Sequence, residues 1–231
     1  MIDAAYVNTT PIMYKPVKRL IDILIALVAL IILSPILIPV ILVLLVTGEK
    51  EVFYLQKRIG YLNKPFDIYK FATMLKNSPN IGTGEITLRN DPRVTPFGKF
   101  LRISKINELP QIINVLKGDM SIVGPRPLMK VSFDIYSNEV KEKIYLSKPG
   151  MTGIGSIVFR DEEKLVSDSD DPQHVYRNII YPYKGKLEIW YLENASLLTD
   201  FKIIFLTAWS ILFPGNKLVT KFFKNLPARS F

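Results

Sequence analysis

Apolar and polar positions divide this chain near residue 50. From Ile23 to Gly48 no charged residue occurs; Lys15, Lys18, Arg19 and Asp22 precede the run, and Glu49, Lys50 and Glu51 follow it. A straight helix of that length exceeds the roughly 30 Å hydrocarbon thickness of a bilayer, so the run is predicted to enter a membrane. Ser34-Pro35 sits near its middle and Pro39 one turn later, and each proline removes a backbone hydrogen bond. A kink is expected there, with the Ser34 hydroxyl bonding back to an upstream carbonyl. Two readings stay open on these residues: a spanning helix, or a re-entrant hairpin whose arms, each about a dozen residues, enter and leave through one face. Basic residues on both sides of the run favour the hairpin, with both ends at the cytoplasmic side. The run starts too late and is too long for a cleaved signal peptide.

Residues 52–75 alternate apolar and polar around Gly60 and Asn63-Lys64-Pro65, which predicts a β-hairpin. Glycine, proline and asparagine then mark 76–96 as a loop. Helices are predicted over Phe97–Ile103 and Pro110–Lys117, the second closed by Gly118, with Asn107 and Glu108 just outside its N-terminus. Residues 119–127 read as a short apolar step and a rigid turn in which two prolines restrict Arg126. Leu128–Lys148 reads as helix and Ser156–Phe159 as strand-like, while 160–174 are acidic and polar, suiting a mobile loop. The last fifty residues mix apolar helical runs with aromatic and basic residues, as in helices lying at a membrane interface, and Lys217, Lys221, Lys224 and Arg229 make the tail basic. The fold class expected is α+β: an N-terminal membrane segment over residues 1–50, then a mainly helical domain over 51–231 carrying a small β-hairpin.

Composition narrows the chemistry. The 231 residues contain no cysteine and one histidine, His174, which excludes a disulfide scaffold, a thiolate metal site and a multi-histidine site. Carboxylates, with or without a hard cation such as magnesium, remain. A net charge of +9 suits an anionic partner: nucleic acid, anionic lipid or a sugar nucleotide. Nucleic acid is disfavoured, because binding it calls for aromatics interleaved with a basic groove, whereas these aromatics concentrate in the hairpin and the terminal helices.

Seven motifs in one order carry a resemblance: Lys18-Arg-Leu-Ile-Asp, Ser34-Pro35, Gln56-Lys-Arg-Ile-Gly, Pro65-Phe-Asp-Ile-Tyr-Lys-Phe-Ala-Thr-Met, Asn107-Glu-Leu-Pro-Gln, Gly118-Asp-Met-Ser-Ile-Val-Gly-Pro-Arg-Pro and Lys148-Pro-Gly-Met-Thr-Gly. Over roughly residues 14–212 the chain resembles the bacterial sugar transferases, monotopic phosphoglycosyl transferases that act on polyprenyl phosphate. The resemblance implies transfer of a sugar 1-phosphate from a UDP-sugar to undecaprenyl phosphate, with release of UMP, as the first membrane step of a glycan pathway. It also implies a re-entrant hairpin broken at Ser34-Pro35, a catalytic domain on the cytoplasmic face of the bacterial inner membrane, a Mg2+ ion beside the diphosphate, and downstream glycosyltransferases as partners. Arg126, held between Pro125 and Pro127, is implied to contact the donor; Lys70 and Arg102 are implied to line the same anionic site. Asp119 is left as either a magnesium ligand or a carboxylate orienting Arg126. Lys18 and Arg19 are expected at lipid headgroup phosphates.

Two positions depart from the family pattern. The family's catalytic Asp-Glu pair is Asn107-Glu108 here, and an amide is no carboxylate nucleophile and a poorer ligand for magnesium. Ala72 stands where an arginine is usual. Three explanations compete: an active variant in which Glu108 supplies the nucleophile or a base, a catalytically silent membrane partner in a glycan assembly complex, and an altered Asn107 in an otherwise ordinary enzyme. The sugar and the pathway carry no recognisable code in the residues from Asn77 to Asn90 or from Arg160 to His174.

Overall fold

In the computed structural model the described residues are 13–78, 91–160, 162–167, 169–213, 218–223 and 225–229. Most of the predicted 76–96 loop, including 79–90, lies outside them, as do Lys217 and Lys224.

The uncharged run forms α1, Tyr14–Val46, with Pro35 and Pro39 both inside it. Helical structure continues through the pair of prolines instead of breaking into two separate helices. Each proline removes only its own N–H, and the Ser34 hydroxyl donates to the Ile31 carbonyl at 2.8 Å. Both halves of α1 lie against the rest of the chain. Ala26, Ala29, Leu30 and Leu33 pack with Ile68, Ile112, Val115 and Met120, and Leu37, Val40, Ile41 and Leu44 pack with Phe71, Phe97 and Leu101. The other face of α1 exposes Leu24, Leu27, Ile31, Ile32, Ile36, Ile38 and Leu42. Only 11% of its most apolar window is buried, so this is an apolar helix that the domain leaves uncovered along most of its surface.

The predicted hairpin is present as β1, Phe53–Ile59, and β2, Pro65–Phe71, paired antiparallel with Tyr54 opposite Lys70. The next predicted helices form α2, Pro96–Ile103, and α3, Gln111–Lys117. Thr95 caps α2 by accepting from the Gly98 N–H, and Gly118 ends α3 at φ +89°, the left-handed conformation expected of it. Pro110 stands at the N-cap of α3, not at its first helical position. A 3-10 turn, Ile106–Glu108, occupies the approach.

Downstream the pattern predicts less well. Ser121–Val123 forms β3, which pairs in parallel with β4, Gly150–Thr152. The stretch read as one helix over 128–148 is instead α4, Lys130–Phe133, and α5, Asn138–Lys143, which runs into a 3-10 turn at Ile144–Leu146. Residues 156–159, read as strand-like, belong to a helix, α6, Ile154–Val158: Ile154 and Ile157, one turn apart, both face the core. The acidic 160–174 stretch holds a helix, α7, Glu162–Ser167, and a helical turn at Pro172–His174. A π-helical segment, Val175–Ile180, leads into α8, Tyr181–Glu193; α9, Leu197–Leu212, and α10, Leu218–Phe222, follow. The main core joins Val123, Ile154, Ile157, Leu187, Tyr191, Ile203 and Leu206. On its outer side α9 exposes Leu198, Phe201, Phe205, Ile211 and Leu212.

The mixture of helix and strand and the long apolar N-terminal helix agree with the α+β class expected.

Candidate active site

Four of the residues singled out from sequence converge. Lys70 at the end of β2, Arg102 in the last turn of α2, and Asn107 and Glu108 in the 3-10 turn all line one cavity of about 390 Å³. The hairpin supplies one wall, and the segment from Ala72 to Leu75, beyond β2, supplies another. The site is built by holding β2 and the 107–108 turn in a fixed relation. Asn114 does this: wholly buried, it accepts from the Tyr69 N–H at 2.9 Å and donates to the Asp67 carbonyl at 2.8 Å.

Positive charge dominates the cavity. Lys70 is largely removed from water, and burial, with Arg58, Arg126 and Arg102 nearby, lowers its pKa to about 8, against the opposing pull of Glu108. Arg102 donates to Thr73 Oγ1 at 3.2 Å, and Arg58 donates to Gln56 Oε1 at 2.6 Å. Lys105, just before Asn107, also lines the cavity and holds φ +60°. Ala72 lines it too, and Arg58 and Lys105 bring cations to the same space.

Asn107 and Glu108 differ in their surroundings. The amide oxygen of Asn107 is buried and has no hydrogen-bond partner among the described residues, a costly state for a polar atom. Glu108, next to it, acts electrostatically on both Lys70 and Arg102. An unpaired amide oxygen and a carboxylate are hard oxygen donors of the kind magnesium takes, two protein ligands being usual when substrate phosphates supply the rest. No cluster of three or more metal-ligating side chains occurs among the described residues.

Arg126 is exposed between buried Pro125 and Pro127, outside the cavity lining but within charge range of Lys70. Its turn is fixed from three sides. The Tyr145 hydroxyl donates to the Arg126 carbonyl at 2.8 Å and accepts from the Leu128 N–H at 3.0 Å. The Arg58 guanidinium donates to the Pro127 carbonyl at 3.5 Å, and the Gly150 N–H donates to the Pro125 carbonyl at 2.8 Å. A Cβ on Gly150 would lie 2.1 Å from the Gly124 nitrogen, so the Gly-Pro-Arg-Pro and Lys-Pro-Gly segments touch through backbone alone. Beneath the turn Glu188 is fully buried; its carboxyl accepts from the Arg126 N–H, and desolvation pushes its pKa up to about 8.

The remaining singled-out residues lie elsewhere. Asp119 does not line the cavity; it accepts from Asn114 Nδ2 at 3.3 Å and pairs with Lys117 at 3.5 Å. Lys18 pairs with Asp200 at 2.8 Å, and Arg19 donates to the Val115 and Leu116 carbonyls, the latter at 2.9 Å. Both cations thus fasten α1 to the domain, one to α9 and one to the carbonyl end of α3. Ser34 and Pro35 sit in the uncovered part of α1.

Sequence reasoning missed Asn114, Tyr145, Asp200 and Glu188. Asp200 was signalled only by being an acid in an apolar helical run; its other partners are Tyr14, whose hydroxyl donates at 2.8 Å, and Tyr191, also at 2.8 Å.

A family model described as bacterial sugar transferase matches residues 13–214. Among similar proteins, the UDP-N-acetylgalactosamine-undecaprenyl-phosphate N-acetylgalactosaminephosphotransferase of Aeromonas hydrophila is 35% identical over 86% of this chain and 44% of its own length. The undecaprenyl-phosphate galactose phosphotransferase of Salmonella typhimurium is 34% identical over 84% of this chain and 40% of its own. An uncharacterized sugar transferase of Bacillus subtilis, EpsL, is 35% identical over 84% of this chain and 87% of its own. The chain therefore spans less than half the length of the first two relatives and most of the third.

Proposed function

The chain belongs to the bacterial sugar transferase family, and on that premise we propose that it moves a sugar 1-phosphate from a UDP-sugar to undecaprenyl phosphate, releasing UMP. The observation that carries the reading is the cavity in which Lys70, Arg102 and Glu108 meet beside Asn107. A diphosphate needs cations around its non-bridging oxygens and one group able to act on phosphorus, and this cavity supplies both.

Lys70 and Arg102 bind the diphosphate, and Arg126, on its clamped turn, meets the donor from the side. Glu108 attacks the β-phosphorus: its carboxylate forms an acyl phosphate bearing the sugar, the bond to the α-phosphate oxygen breaks, and UMP leaves with the electron pair. An oxygen of the lipid phosphate then attacks the same phosphorus and returns Glu108 as the free carboxylate. An anionic lipid phosphate gives a general base little to remove, which favours Glu108 as nucleophile over Glu108 as base. Magnesium, when bound, would neutralise charge on the diphosphate; the Asn107 amide oxygen would hold it together with phosphate oxygens, which leaves the Glu108 carboxylate free to react.

The packing of α1 supports a re-entrant segment on one membrane side. Both of its halves touch the same domain, and a helix crossing the bilayer would carry one half away from it. The uncovered apolar faces of α1 and α9 suit a monotopic protein lying on the cytoplasmic leaflet. A second reading, a catalytically silent partner in a glycan assembly complex, is favoured by Asn107 alone. The test is UMP release by the purified chain in lipid nanodiscs with magnesium, undecaprenyl phosphate and a panel of UDP-sugars. Turnover with one sugar supports the transferase, whereas no turnover with any sugar, restored by Asn107→Asp, supports the silent partner.

A further inference from the structure

A second cavity, of about 400 Å³, opens at the N-terminal mouth of α1 and shares no lining residue with the first. The two lie at opposite ends of α3, Asn107 and Glu108 before its start and Gly118 at its close. At Gly118 two cations converge: Arg19 Nη2 and Lys148 Nζ each lie 3.3 Å from the place a Gly118 Cβ would take. Arg19 is held there by the carbonyls of α3, whereas Lys148 makes no hydrogen bond and no ion pair among the described residues; Asp22 and Asp119 attract it only at longer range. Burial and the neighbouring Arg19 both disfavour its charge.

The same cavity is lined by Ser121 and Ser147, whose hydroxyl oxygens are buried without a partner among the described residues. Two like charges pressed together beside two unsatisfied hydroxyls form an incomplete arrangement: Asp22 is the one carboxylate in a lining that also carries Lys15, Lys18, Arg19 and Lys148, so cations and donors outnumber the anions that face them. Leu146 and Leu192 supply an apolar wall, and Lys15 and Lys18 stand where α1 would meet the headgroup layer.

We propose that this second cavity binds the phosphate of a lipid, with Lys148 and Arg19 neutralising the charge, Ser147 and Ser121 donating to its oxygens, and the leucines covering the first segment of the chain. Two sources carry that chemistry, an anionic phospholipid of the leaflet and a polyprenyl phosphate. The inference does not depend on the reaction proposed above, because binding is read without turnover.

The test is native mass spectrometry of the full chain in neutral detergent, titrated separately with phosphatidylglycerol, a polyprenyl phosphate, phosphatidylcholine and inorganic phosphate. The wild type should retain one phosphatidylglycerol or one polyprenyl phosphate in preference to phosphatidylcholine, whose choline offsets its own phosphate. Lys148→Gln should weaken that retention about five- to ten-fold, the loss of one cation near a headgroup. Ser147→Ala, which removes a hydroxyl that bonds nothing in the fold, should weaken it about three-fold. Retention of the polyprenyl phosphate alone, weakened in both variants, assigns the cavity to that lipid, and retention of both lipids, weakened in both variants, assigns it to lipid phosphates generally; either supports the proposal. Unchanged retention in both variants overturns it, as does inorganic phosphate displacing the lipids at equal concentration.

Discussion

Asn114 in α3 accepts a hydrogen bond from the Tyr69 N–H at 2.9 Å, which locks the strand carrying Lys70 to the helix that follows Glu108. The lock is side chain to backbone, and its second half, donation to the Asp67 carbonyl, engages the same strand two residues earlier. Asn114→Ala leaves the part-buried Tyr69 N–H and Asp67 carbonyl unsatisfied. The expected cost is about 2–4 kcal/mol of stability, read as a lower thermal midpoint in detergent, with UMP release falling as Lys70 and Glu108 lose their relative placement.

Tyr145 acts on the other side of the site through a single hydroxyl. Tyr145→Phe keeps the ring stacked on Phe133 and removes both bonds to the Arg126–Leu128 turn. The expected result is a stability loss of about 1–3 kcal/mol together with a raised KM for the UDP-sugar, since the turn that carries Arg126 loses its clamp. An unchanged KM would detach Arg126 from donor binding.

Lys70 gives the site a pH dependence of definite sign. Its amine holds its proton up to about pH 8 in the folded chain, and a diphosphate favours the ammonium form. Affinity for UDP, measured without magnesium, should be highest below pH 8 and fall as pH rises through that value, approaching ten-fold per unit. Lys70→Arg, which stays charged, should flatten the profile.

Glu188 makes the opposite kind of prediction, about stability. Its folded pKa of about 8 lies above the ordinary carboxylate value of 4.5, so the folded state holds the proton over a range where the unfolded state has lost it. Its contribution is complete below about pH 4.5 and is lost as pH rises toward 8. Glu188→Gln, the same shape and permanently neutral, should remove that part of the fall, seen in thermal midpoints between pH 5 and 8.

The parts of this molecule legible in its sequence are those set by neighbours along the chain. The β1–β2 hairpin followed from period-two alternation and Asn63-Lys64-Pro65, and α3 from Pro110 near its start and Gly118 at its end, whose positive φ the helix stop required. Lys70, Asn107 and Glu108 were singled out through the motifs and Arg102 through the resemblance, which fix residue types without stating what holds them together. What was not legible depends on residues far apart. The sequence offers no sign that Lys18 and Arg19 also fasten α1 to the domain, because Asp200, 182 residues from Lys18, and the carbonyls of α3 cannot be seen as partners in a linear pattern. The parallel pairing of β3 with β4 is equally non-local. Ser156–Phe159 read as strand because a short apolar run carries no period of its own, and the burial of Ile154 with Ile157 decided for helix.

The account rests on Glu108 serving as the reacting carboxylate with an amide beside it. The most direct measurement compares UMP release by the native chain and by Glu108→Gln, in nanodiscs with magnesium, undecaprenyl phosphate and the UDP-sugar that turns over. Loss of activity by about a thousand-fold or more in Glu108→Gln, with the fold intact by thermal midpoint, is the result expected of a nucleophile. Turnover in Glu108→Gln equal to that of the native chain would contradict it.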